Sequence, residues 1–169
     1  MSICQALLAE FEQEVQTTRK FLERTPGDKL RWKPHDKSMT AGELALHIAT
    51  VPAGVLKMAL EDTAPVPNVA TRPQPASVGE VLEALEQSIA TVRKVLPTMD
   101  DARMQRTFAI TADGQEIVAM PRAVFLRSIM LNHWYQHRGQ FGVYLRLMGA
   151  KVPSSYGPSG DELPDFLKK

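Results

Sequence analysis

Apolar residues recur every three or four positions in four stretches of the chain, and each stretch predicts an amphipathic helix. In the first, Leu7, Leu8, Phe11, Val15, Thr18 and Leu22 share one face, and Thr25-Pro26-Gly27 ends it. The second opens at Thr40-Ala41-Gly42-Glu43. That order is a capping box: the threonine oxygen accepts an early backbone N–H, and the glutamate reaches back to the cap. Its apolar face runs Leu44, Ile48, Val51, Val55, and Pro52 predicts a kink because proline lacks a backbone donor. The third opens on a second such box, Ser77-Val78-Gly79-Glu80, and carries Val81, Leu82, Leu85, Ile89, Val92 and Leu96 up to Pro97. The fourth begins at Pro121, a residue suited to a first helical turn, and closes at Met148-Gly149. As one α-helix it would be about 42 Å long, the spine of the domain.

The connections read differently from one another. APVPNVATRPQP, residues 64 to 75, has four prolines and no periodicity, which predicts an exposed connection. TFAITADGQEIV, residues 107 to 118, has two short β-prone runs around Asp113-Gly114, which predicts a hairpin. The expected fold is all-α: a four-helix bundle in a single domain, residues 1–169, with a small β-hairpin before the last helix.

At 169 residues the chain is long enough for one real core and short for two. Twenty Lys+Arg balance nineteen Asp+Glu, for a net charge of +1, and no basic cluster falls on any predicted element. A nucleic-acid backbone is therefore not an expected partner. Glu10, Glu12 and Glu14 interrupt the N-terminal helix, which reads neither as a signal peptide nor as a membrane span. Cys4 is the only cysteine, so no intrachain disulfide forms, and a cytoplasmic protein is expected.

Candidate chemistry gathers in HWYQHRGQ, residues 133 to 140. His133 and His137 project from one helix face, on a stripe expected to run Phe125, Ile129, His133, His137, Phe141, Tyr144 and Met148. His47 lies on the expected inward side of the second helix, next to Ile48. Two readings compete. Each imidazole is a core group bonded to a carbonyl, or all three share one divalent cation. A lone inward histidine favours the first; three converging ones favour the second, because one ion satisfies every ring nitrogen that burial would otherwise orphan. Three protein nitrogens also leave a divalent ion with open positions, as catalytic sites do. A zinc protease is excluded, since Trp134 stands where its general-base glutamate belongs. His35, beside Asp36, reads as a solvated loop residue. Trp134 and Tyr135 read as packing, Arg138 as half of a surface ion pair, and Cys4 as an unactivated core thiol. No residue stands out as a general base.

WKPHDKSMTAGELALHIA at 32 to 49, NHWYQHRGQFGVYLRLMGAKVP at 132 to 153 and SYGPSGDE at 155 to 162 resemble, in that order, the DinB/YfiT-like family of metal-dependent enzymes. The likeness spans nearly the whole chain. It implies a four-helix bundle holding a divalent ion, often nickel or zinc, through one histidine of helix two and two of helix four, here His47, His133 and His137. Family dimers pair through bundle helices, and Phe21, Trp134 and Leu145 are expected to supply apolar surface for a homodimer here. Relatives include S-transferases that use bacillithiol or mycothiol and a maleylpyruvate isomerase. The implied function is thus an enzyme using a low-molecular-weight thiol or water against a small electrophilic substrate, as a thiol-dependent S-transferase or a hydrolase. The alternative is a non-catalytic metal-binding or dimeric interaction protein. The closing segment, residues 155 to 166, is expected to fold back on the bundle through Tyr156 and Phe166 and to contribute packing rather than ligands.

Overall fold

In the computed structural model, which describes residues 1–68, 70, 72–164, 167 and 168, each helical stretch begins where its cap is. Helix α1, Ile3–Glu23, is closed by Ser2 and Gln5, which bond each other's backbone N–H in a box the reading of the sequence did not include. Helix α2, Ala41–Met58, has the expected box: Thr40 accepts from the Glu43 N–H, and Glu43 accepts from the Thr40 N–H at 2.7 Å. Strand β1, Thr63–Pro65, follows. Helix α3, Val78–Val95, is capped by Ser77, but the Glu80 carboxylate takes the N–H of Ala76, so the second expected box closes by half. A short helix α4, Asp101–Gln105, capped by Asp100, precedes strands β2, Thr107–Ala112, and β3, Gln115–Pro121.

The hairpin stands where expected. Asp113 and Gly114 both have positive φ, the geometry of the tight turn that Asp-Gly favours. The sheet has a third strand, however: β1 pairs parallel with β2, in the order β1-β2-β3. The described residues between 65 and 73 are exposed, as expected of this connection, but its two ends are held in place. Ala64 and Pro65 lie in β1 at the sheet edge, where a proline interrupts no ladder. Gln74 donates to the Leu30 carbonyl and bonds the Thr40 hydroxyl at 2.7 Å. A Cβ on Gly42 would lie 2.3 Å from the Gln74 amide and 3.0 Å from the Leu30 carbonyl, so a side chain there would displace Gln74 from the start of α2.

Residues 122 to 147 form the final helical rod, but not one uniform α-helix. Helix α5, Arg122–Phe125, passes into a π-helical stretch, Leu126–Asn132, and then into α6, His133–Leu147. Pro121 caps the rod from the end of β3 rather than occupying its first turn. With α1, α2 and α3 the rod makes the expected bundle; α2 packs on α3 and α6, and α1 packs on both of those. No described helix is long and apolar enough to cross a membrane.

The π-helical stretch moves the buried stripe by one residue. Constant α-helical spacing predicts Phe125, Ile129, His133 and His137 inside. Instead Ile129 is 36% exposed, and the core takes Phe125, Leu126, Met130, Trp134, Arg138 and Phe141. A turn of i→i+5 bonds inserts an extra residue into the helix, which sets the side chains of the next turns back in phase; further on, Phe141, Tyr144 and Met148 are buried as expected. His133 and His137 consequently lie half-buried at the edge of the core rather than within it.

Two side chains fix α6 in this setting. Pro52 has no N–H for the Ile48 carbonyl one turn back, and the Trp134 indole donates to that carbonyl at 2.8 Å while its ring stacks on Phe11. The next N–H, of Ala53, goes to the Ser88 hydroxyl of α3. Arg138 is buried, not at the surface as expected: it pairs with Glu14 and reaches the Thr18 hydroxyl, both on α1. Elsewhere Arg122, wholly buried, joins the end of α2 to the sheet by donating to the Ala59, Glu61 and Arg103 carbonyls.

Phe21, Trp134 and Leu145 are 4%, 0% and 0% exposed within this single chain, so the surface argument for a homodimer falls. Tyr135 packs against the core, and Cys4 is buried with its thiol on the Met99 carbonyl, both as expected. The closing segment does fold back, by polar contacts. Asp161 accepts from the Val152 N–H and pairs with Arg146, and Glu162 pairs with Arg24. Tyr156 is largely exposed, its ring 5.2 Å from the Arg138 guanidinium, and Phe166 lies outside the described residues.

Trp134→Phe should destabilise the protein by roughly 1–3 kcal/mol beyond its loss of packing, because the Ile48 carbonyl would then be buried without a donor. In a Pro52→Ala background the new N–H supplies that donor, and the penalty should shrink. Urea unfolding of the two single variants and the double variant measures this; equal penalties in both backgrounds would rule the account out.

Candidate metal centre

His47 comes from the middle of α2 and His133 and His137 from the first two turns of α6, so the α2–α6 contact brings all three together. Their ring centroids are 5.4, 4.7 and 4.4 Å apart for the pairs 47–133, 47–137 and 133–137, each pair edge to face. One ring nitrogen of each lies within 4.8 Å of the others, in the single group of this kind among the described residues. The fourth histidine, His35, is exposed in the loop before α2, where its Nδ1 accepts from the Lys37 N–H; it takes no part in the cluster. All three histidines expected as ligands thus meet.

The surroundings disfavour charge on His47 and His133. Burial pushes His47 down from its usual 6.5 to about 4, and His137, His133 and Arg72 add to the effect. Burial and then His137 also lower His133. Desolvation penalises an imidazolium, and a second charge beside it penalises it again. Neutral imidazole is the form that ligates.

The hydrogen bonding leaves the cluster one cation short. His137 Nδ1 lies 2.9 Å from Gln140 Oε1, an acceptor, so the His137 proton sits on Nδ1 and its Nε2 offers a lone pair. That Nε2 faces His133 Nε2 at 2.8 Å. If His133 donates across this gap, its own Nδ1 becomes a bare lone pair in a buried position without a well-formed hydrogen bond. If instead its proton is on Nδ1, toward the Ile129 carbonyl that favours protonation, two lone pairs face each other. A single cation resolves both conflicts. Nitrogens about 2.0–2.1 Å from one tetrahedral zinc ion lie about 3.3 Å apart, so this 2.8 Å pair needs to open by only about half an ångström to seat it. The residues therefore fit a divalent metal through the nitrogen donors that zinc, nickel, copper and iron accept.

Gln140 was missed in the sequence, although its place three residues after His137 puts it on the same helix face. Among the described residues no carboxylate or thiol joins the group. Glu10, on α1, is taken up by the Tyr135 hydroxyl, and Glu43 by the cap of α2.

Known proteins match along nearly the whole chain. The model of the DinB family matches residues 1–164. The curated protein YrdA of Bacillus subtilis (strain 168), described as uncharacterized, is 29% identical over 161 residues, covering 94% of this chain and 91% of its own. Two solved structures share the fold. A DinB-like protein from Bacillus cereus ATCC 10987 has a TM-score of 0.71 at 23% identity, covering 90% of this chain and 97% of that one. The DinB-like protein YjoA from Bacillus subtilis has a TM-score of 0.66 at 22% identity, covering 89% and 96%.

The depressed His47 pKa sets a pH dependence for the metal-free protein. The unfolded chain takes up a proton near pH 6.5, whereas folded His47 resists until about pH 4. Its contribution to stability is complete above pH 6.5 and is lost as pH falls toward 4. The melting temperature should drop across that window, and less steeply in His47→Gln; parallel profiles for the two proteins would contradict the assignment.

Proposed function

Because this chain belongs to the DinB family, we propose that it is a metal-dependent enzyme in which His47, His133 and His137 hold one divalent ion, nickel or zinc. In this reading a low-molecular-weight thiol, or water, attacks a small electrophilic substrate, making the protein a thiol-dependent S-transferase or a hydrolase. The observation that carries it is the meeting of three ring nitrogens, from two different helices, within 4.8 Å of one another.

His47, His133 and His137 would hold a divalent ion through their ring nitrogens, and when bound it would supply Lewis acidity that makes a thiol or water more acidic near neutral pH. The chain's own residues supply position and environment. His47 resists protonation and keeps its lone pair available well below neutrality. Trp134, bonded to α2, and Arg138, paired with α1, each lie one residue beyond a histidine on α6 and hold His133 and His137 toward His47. The rings are half-buried at the edge of the core rather than sealed within it. With no carboxylate in the cluster, the proton from the thiol or water leaves to solvent or to a substrate group.

The same lack of a carboxylate favours a second reading, a metal-binding protein without catalysis. Metal content and turnover separate the two. In untagged protein, His47→Ala, His133→Ala and His137→Ala should each lose most of the metal by elemental analysis, while His35→Ala keeps it. A thiol-conjugation and hydrolysis screen should then show turnover that follows metal content. Full metal in His133→Ala would end the three-histidine assignment; full metal in the wild type with no turnover in the screen would favour the non-catalytic protein.

A further inference from the structure

We infer that Gln140 is a positioning residue for this centre: its amide oxygen holds His137 in the one tautomer and orientation that turn Nε2 toward His133 and His47. The inference rests on the three histidines being ligands. A neutral imidazole carries its single proton on either nitrogen, and the hydrogen bond made by one nitrogen decides what the other can do. Gln140 Oε1 lies 2.9 Å from His137 Nδ1, and among the described residues this is the hydrogen bond its side chain makes. An amide oxygen only accepts, so the proton sits on Nδ1. Nε2 is left as a lone pair 2.8 Å from His133 Nε2, on the side where the three rings converge.

The contact also fixes direction. His137 and Gln140 are one helical turn apart on α6, so the bond ties the ring to its own helix and restrains its rotation. Gln140 is half-buried, where competing water is reduced. A partner of this kind, bonded to the far nitrogen of a ligating histidine, is worth about 10–100-fold in metal affinity.

The test uses the full-length protein and two variants, Gln140→Leu, which removes the acceptor, and Gln140→Glu, which keeps one. Zinc affinity is measured by competition with a chromophoric chelator, folding by circular dichroism, and the His137 tautomer by imidazole 15N shifts in metal-free protein at pH 8. Wild type should show the proton on Nδ1. Gln140→Leu should stay folded, lose that tautomer preference and bind zinc about 10–100-fold more weakly. Gln140→Glu should keep both the tautomer and wild-type or tighter affinity. Wild-type affinity in Gln140→Leu, equal weakening in Leu and Glu variants, or a wild-type proton on Nε2 would each overturn the inference while leaving the ligands in place. A wild type that binds no zinc would instead overturn the ligand assignment, and this inference with it. Should the leucine variant not fold, the glutamate variant and the wild-type tautomer still decide.

Discussion

Pro52 withholds an N–H from the Ile48 carbonyl, and the Trp134 indole of α6 takes its place at 2.8 Å. This hydrogen bond crosses the α2–α6 contact one residue away from His47 on α2 and one residue away from His133 on α6. A buried carbonyl without a donor costs on the order of 1–3 kcal/mol, so Trp134 has little freedom to turn elsewhere. The stack on Phe11 and the Arg138–Glu14 pair secure the same face of α6 against α1. Once Trp134 and Arg138 point inward, their neighbours His133 and His137 stand about 100° around the helix, facing His47. The meeting of the three histidines is a consequence of how α6 is anchored.

That setting also explains why His47 and His133 resist protonation although the cluster is only half-buried. A helix of constant α-helical spacing would send the two histidines into the core, where a substrate could not approach. The π-helical stretch Leu126–Asn132 displaces the buried stripe by one position and leaves them at its margin. Half-burial is then enough to depress His47 to about 4. The core is assembled from Trp134, Phe11, Phe141 and the aliphatic faces of α1 to α3, so folding does not depend on the ion as it does in a zinc finger.

The caps at Thr40 and Ser77, the four helical stretches, the Asp113-Gly114 turn and the three histidines were all legible in the sequence, because each is a local pattern or a residue type with one dominant use. What escaped was non-local. A three-residue strand such as Thr63–Pro65 has too little alternation to read, and its existence depends on β2 lying beside it. The π-helical stretch leaves no mark in hydrophobic periodicity except a one-residue slip, which a regular stripe through Ile129 and His133 conceals. Arg138 looked like a surface charge because nothing in its neighbourhood shows that Glu14 waits across the core. The dimer surface failed for a related reason: the faces of Phe21, Trp134 and Leu145 are covered by this chain itself.

The central claim is that one ion is bound by three imidazoles from two helices. X-ray absorption at the zinc edge, on protein loaded with one equivalent of zinc, tests it most directly. Outer-shell scattering from rigid imidazole rings counts the histidines without reference to activity. The account predicts three imidazoles, each with nitrogen at about 2.0–2.1 Å. A first shell of oxygen with one imidazole or none would contradict it.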